Sequence, residues 1–296
     1  MRTTGTAPGH GLTWSLRGRS PDDVPVSADY GPVPPARTSP EATGRGIRVC
    51  VVDSGVERDH PLVGTVDGSW VVVKDQDTGT ITVEPAGPAD IGDTCGHGTA
   101  CAGIIRRTAP DCELHSVRVL GERFSGTGDV LIGGLRWAVE QGFDVVNLSL
   151  STTRARFVEE LHSLADSAYF ARTVIVASAH NTPVESFPWR FASVISVGSH
   201  QEDDPGLHLY NPEPPVEFFA PGQNVSVPWL GGTTIRTTGN SFATPYISGL
   251  CARILSEHPR MTSFQLKNAL YLSAANVRYG PRQSTSAGEV SDDSEK

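Results

Sequence analysis

The sequence predicts an α/β protein with a mostly parallel central sheet flanked by helices. Three observations carry that prediction: five short β-branched runs, longer helix-like stretches between them, and an apolar content sufficient for one large core. The chain has 296 residues, 38% of them hydrophobic and 19% charged. That length lies near the upper limit for a single domain, and the composition excludes collagen-like and wholly disordered chains.

The runs are Ile47 to Val52, Leu114 to Leu120, Val145 to Leu150, Thr173 to Ala177 and Val194 to Val197. Each is short and β-branched, and the distances between them suit crossover helices better than hairpins. One crossover helix begins after Gly128. Val130, Leu131, Leu135, Ala138 and Val139 keep close to a 3.6-residue period, and Gly142 marks its end. A second begins near Ser241, with Ile247, Leu250, Cys251 and Ile254 on one face. Pro245 is expected in its first turn, where a missing N–H does least damage. Residues 1–46 are rich in turn formers and read as an arm, residues 47–279 as the folded domain, and residues 280–296 as a polar, acidic tail.

Composition narrows the function classes. The formal charge of -9, with no basic run, argues against a nucleic-acid partner. No stretch approaches the roughly 18 consecutive apolar residues of a membrane helix. The first 46 residues lack the apolar segment of a secretory signal, so the expected location is the cytoplasm. Cys50, Cys95, Cys101, Cys112 and Cys251 form an odd, scattered set, which suits free thiols in a reducing compartment. Cys95, His97 and Cys101 have no matching zinc spacing and lack a clear fourth ligand, so no metal is expected. Dinucleotide binding is disfavoured because the first strand ends in Asp53-Ser54-Gly55 without a G-x-G-x-x-G turn.

Three segments concentrate chemistry. Asp53 ends an apolar run and so stands at the C-terminal edge of a parallel strand, where open α/β sheets place their sites; alone, it suits a turn equally well. His97 lies between Gly96 and Gly98 at the start of an apolar helix, a position that also suits a structural histidine. Ser241 follows Gly239-Asn240 and opens the amphipathic helix. That position fits an N-cap serine, and it fits a nucleophile whose oxyanion would meet helix N–H groups. Ala243 in place of a final glycine disfavours the G-x-S-x-G elbow.

Taken in chain order, these segments resemble the subtilisin-like serine proteases. Val51-Val52-Asp53-Ser54-Gly55 resembles the family's Asp motif, Gly96-His97-Gly98-Thr99 its His motif, and Gly239-Asn240-Ser241-Phe242-Ala243-Thr244-Pro245 its Ser motif. Val117-Arg118-Val119-Leu120-Gly121, Val145 to Leu150 and Ala220-Pro221-Gly222 extend the likeness over roughly residues 46–275. The resemblance implies a subtilisin-like three-layer fold and a serine endopeptidase using Asp53, His97 and Ser241 through an acyl-enzyme, with Asn181 in the oxyanion hole. It also implies an extended peptide or protein substrate bound along Arg123, Phe124, Ser125 and Gly126 on one side and Ser149, Leu150 and Ser151 on the other. Ser178, Ala179 and His180 would complete that surface.

Such an enzyme needs no cofactor, and the expected substrate is a specific intracellular peptide. The alternative is a catalytically silent subtilase-like peptide-binding protein. Five positions depart from the family pattern. Ser151 and His180 stand where relatives commonly have glycine, Asn240 replaces a threonine, and Phe242 replaces a methionine. The acidic residue usual after His60-Pro61 is Leu62 here, which weakens one structural calcium site. The sequence leaves the oligomeric state open.

Overall fold

A computed structural model describes residues 41–88, 90, 92–121, 125–201 and 207–277. Its centre is a nine-stranded sheet. In chain order the strands are β1 (Arg48–Asp53), β2 (Gly68–Lys74), β3 (Ile81–Pro85), β4 (Glu113–Arg118), β5 (Val145–Leu148), β6 (Val174–Ser178), β7 (Ile195–His200), β8 (Leu209–Tyr210) and β9 (Phe218–Pro221). Their spatial order is β3-β2-β4-β1-β5-β6-β7-β9-β8, with parallel pairing from β2 to β9 and antiparallel β3 and β8 at the edges. A separate hairpin joins β10 (Val225–Trp229) to β11 (Thr233–Thr237).

The expected runs all form strands, and for a common reason: the central ones are buried on both faces. All but the first residue of β1 and every residue of β5 and β6 are buried. Covered parallel strands read as continuous apolar runs, the pattern the sequence shows there. One face carries α2 (Gly128–Glu140) and α3 (Val158–Ala171), which bury Leu135, Leu161 and Ala165 against Cys50, Val52, Val146 and Leu148. The other carries α1 (His97–Thr108) and the long α4 (Asn240–Glu257), with α5 (Ser263–Ser273) packed on α4. Alternation along β1 therefore sends Asp53 to the α1 and α4 side.

The last residues of the expected arm include packed positions: Ala42 is 2% exposed, its carbonyl accepts from Arg253 Nε at 2.6 Å, and Gly44 N donates to Ser256 Oγ at 3.3 Å. Residues 1–40 of the arm and the acidic tail lie outside the described residues. One expectation needs correction, the placement of Pro245 in the first turn of its helix. Pro245 stands at the sixth position of α4, in its second turn, because the helix already starts at Asn240. It therefore removes the N–H that would bind the Ser241 carbonyl four residues back. No helix among the described residues is long and apolar enough to cross a membrane.

Candidate active site

Chain order reverses beside β1: β2 and β4 lie on one side of it, and β5, β6 and β7 on the other. Open sheets form a crevice at such a point, beyond the carboxyl ends of the strands. Asp53 ends β1, Ser149 follows β5, and Ala179 to Asn181 follow β6, so one edge gathers most of the residues singled out in the sequence.

His97 is the first residue of α1. Its Nδ1 lies 2.8 Å and 2.9 Å from the two Asp53 oxygens. Asp53 is fully buried and His97 4% exposed. Ser54 N also donates to Asp53 Oδ1 at 2.7 Å. Two glycines permit this approach. Gly96 has φ +90° and faces the Trp229 ring, 2.7 Å from where a Cβ would sit. A Cβ on Gly98 would lie 1.9 Å from the Gly55 carbonyl oxygen. Burial by itself pulls the His97 pKa down, but the Asp53 charge and hydrogen bond, with the charge of Asp93, outweigh it and leave the pKa raised.

Ser241 is the second residue of α4 and is 8% exposed. Its carbonyl, orphaned by Pro245, accepts from Ser149 Oγ at 2.9 Å and from Cys101 Sγ at 3.6 Å. Asn147 Nδ2 donates to the same Ser149 oxygen at 3.1 Å. The Cys101 sulfur also reaches Asp53 Oδ2 at 4.0 Å, so one atom touches both the carboxylate and the Ser241 backbone. The Phe242 ring meets the His97 ring edge-on, with centroids 5.4 Å apart. Asp53, His97 and Ser241 thus come into one cluster from three distant parts of the chain.

Asn181 Oδ1 accepts from Asn240 N at 2.9 Å, which leaves its Nδ2 group to donate elsewhere. The N–H of Ser241 is the next donor that a helix start leaves without an intrahelical acceptor. Ser125, Gly126, Leu150 and Ser151 line one cleft of about 210 Å³. Ser178 and Ala179 are buried, and Ser178 Oγ donates to Ala179 O at 2.9 Å. His180 Nδ1 accepts from Thr182 N at 3.1 Å, so the ring is tied to its own loop. Arg123 and Phe124 lie outside the described residues.

The site contains residues that the sequence did not disclose. Asp93 is fully buried; its Oδ1 accepts from Cys95 N and Gly96 N at 3.0 Å each, and its Oδ2 from Thr99 N at 2.9 Å and Thr99 Oγ1 at 2.6 Å. It fixes the start of α1 beneath His97. An Asp four residues before a glycine-flanked helix start is a legible turn signal. The network linking Asn147, Ser149 and Ser248 has no sequence signal, because its members come from β5 and α4.

Metal fits poorly. Among the described residues, one group of potential ligands comes together: Asp53, His97 and Cys101. There His97 Nδ1 is committed to the carboxylate, while burial, then the Asp53 charge, holds the Cys101 thiol protonated well above its usual range. A structural calcium does not fit the His60-Pro61-Leu62 turn either. Leu62 is exposed there, and the carbonyls of Val63 and Thr65 accept from the Arg106 guanidinium at 3.0 Å and 2.8 Å.

The profile of the subtilase family, peptidase S8, matches residues 44–291. The chain belongs to that family. Over 255 residues it is 29% identical to subtilisin E of Bacillus subtilis (strain 168), a match covering 81% of this chain and 63% of that relative's length. It is also 29% identical to a subtilisin of Bacillus pumilus, over 81% of this chain and 88% of the relative. Among solved structures, a cold-adapted subtilisin-like serine proteinase superposes with a TM-score of 0.62 at 26% identity, covering 84% of this chain and 86% of the other. Sphericase gives 0.64 at 27% identity, covering 77% and 83%. The subtilase fold is the three-layer arrangement described above.

Proposed function

We propose that this subtilase is a serine endopeptidase in which Ser241 attacks the acyl carbon of an extended peptide. The observation that carries the reading is the buried Asp53–His97 pair at the start of α4, where the His97 ring meets Phe242 and Cys101 Sγ reaches both Asp53 and the Ser241 carbonyl. His97 removes the Ser241 proton and later returns it to the leaving amine. Asp53, held at both oxygens by Nδ1, keeps the imidazole in the tautomer that leaves Nε2 to act as base. Ser241 N–H and Asn181 Nδ2 receive the developing oxyanion. Removing such a side-chain donor from a subtilisin costs about 10²–10³ in turnover.

Ser125–Gly126 and Leu150–Ser151 serve as backbone rails for an extended substrate, since they face one cleft. All five cysteines are free and four are buried, which favours work in a reducing compartment on an intracellular peptide. A fluorophosphonate probe is expected to label the wild type and to spare Ser241→Ala, with intact protein mass locating the adduct. A folded wild type that binds peptides but takes no label would instead support the catalytically silent reading, in which Ser151 and His180 obstruct the cleft.

A further inference from the structure

We infer that Asn240 is a positioning residue whose side chain braces the oxyanion site, holding Asn181 in register with the nucleophile. The inference rests on the serine endopeptidase reading of the same site. Every polar atom of the Asn240 amide is committed. Oδ1 accepts from Ser199 N and Ser199 Oγ, both at 2.9 Å, and Nδ2 donates to the carbonyls of Ala179 and His180, both at 3.2 Å. The backbone N–H at Ser199 demands an acceptor and the two carbonyls demand a donor, so the amide has one satisfied orientation.

The consequence follows from where those partners lie. Ala179 and His180 immediately precede Asn181, while Asn240 immediately precedes Ser241. The two oxyanion donors sit on separate elements, the loop after β6 and the start of α4. Asn240 joins these elements twice: its side chain grips the loop carbonyls, and its backbone N–H grips Asn181 Oδ1. The second bond decides which end of the Asn181 amide is free to donate. The first fixes how far that amide stands from Ser241. Donors serve an oxyanion only within a few tenths of an ångström, and misplacement by about 1 Å can cost 10²-fold in rate. A threonine here could not make the same four bonds, because it has one hydroxyl in place of an amide.

The test is a double-mutant cycle on kcat and KM with a peptide p-nitroanilide, run beside fluorophosphonate labelling. Asn240→Ala is expected to lower kcat about 10–100-fold and to leave KM within about twofold, because the lost interaction is one made in the transition state. Asn181→Ala combined with Asn240→Ala is expected to have the kcat of Asn181→Ala alone within about threefold, since a brace for an absent donor has nothing to position. A general structural role would multiply the two losses, and that result overturns the inference. So does an effect confined to KM, or a kcat within twofold of the wild type. If Asn240→Ala does not fold, Asn240→Thr enters the same cycle with the same expectations and a smaller loss.

A crystal structure of the substituted chain reads the brace without turnover. Displaced or multiple positions for residues 179–181 support it, and an unmoved Asn181 amide overturns it. Failure of the endopeptidase reading shows separately, as a wild type that takes no fluorophosphonate.

Discussion

At the residue scale the site is governed by buried side chains whose bonding capacity is filled. Asp93 is the clearest case. Its carboxylate lies under the start of α1, accepts four hydrogen bonds and adds negative potential to His97. Replacing it with Asn removes that charge and cannot satisfy all four donors, since one end of an amide donates. Asp93→Asn is expected to cost about 1–3 kcal/mol in stability, read by urea unfolding. It is also expected to move the acid limb of the kcat/KM profile to lower pH. The sign follows from the role proposed for His97: as the base it must be unprotonated to act, Asp93 helps to raise its pKa, and loss of that help frees the base in more acidic solution. A limb that stays in place, or moves to higher pH, contradicts the role given to Asp93.

At the element scale the question is what ties loops to the sheet in a chain whose site is assembled from loop ends. Arg106, near the C-terminal end of α1, reaches four backbone carbonyls in two segments: Nε to Val63 O at 3.0 Å, Nη1 to Pro110 O at 2.9 Å and Cys112 O at 2.8 Å, and Nη2 to Thr65 O at 2.8 Å. The guanidinium thus acts as a fixed cation joining the turn after β1 to the entry of β4, where Leu62 replaces the acidic residue expected of relatives. Arg106→Met keeps much of the apolar stem and removes the charge and all four donors. A loss of about 2–3 kcal/mol is expected in thermal or urea unfolding, with little change in fluorophosphonate labelling, because α1 is anchored at its other end by Asp93. A change below about 0.5 kcal/mol would show that water replaces the clasp without cost.

At the scale of the whole molecule, the sequence discloses what is locally coded. Strands β1, β5, β6 and β7 announce themselves because burial on both faces keeps them apolar. The β2–β3 hairpin does not, since it lacks that double cover: one residue of the two strands is buried, and positions such as Val73 and Glu84 are exposed. Asp53, His97 and Ser241 are legible through the glycines and apolar runs around each. The Asn240 brace is not, because its partners lie 41–61 residues away. His115 belongs to this second kind.

His115 sits on β4, 8% exposed, with its ring 5.7 Å from that of Trp70 and 4.9 Å from that of Phe143, and neither nitrogen has a hydrogen-bond partner. Burial first, then the Arg48 charge stacked over Phe143, lowers its pKa, with Asp67 and Glu113 offsetting only part. A base with a depressed folded pKa contributes stability that is present above its unfolded value of about 6.5 and is lost as pH falls. His97, with a raised pKa, works in the opposite sense: its contribution is full below that value and fades as pH rises. The two oppose each other in the overall profile, and a substitution separates them. His115→Phe fills a similar volume and strands no partner, so its Tm near pH 7.5 is expected to match the wild type to within about 1.5 kcal/mol equivalent. Its advantage is expected to widen steadily from pH 7 to pH 5, measured by calorimetry at fixed ionic strength. A gap that stays constant over that range would mean that the sandwiched imidazole takes up its proton as readily in the folded protein as in the unfolded chain.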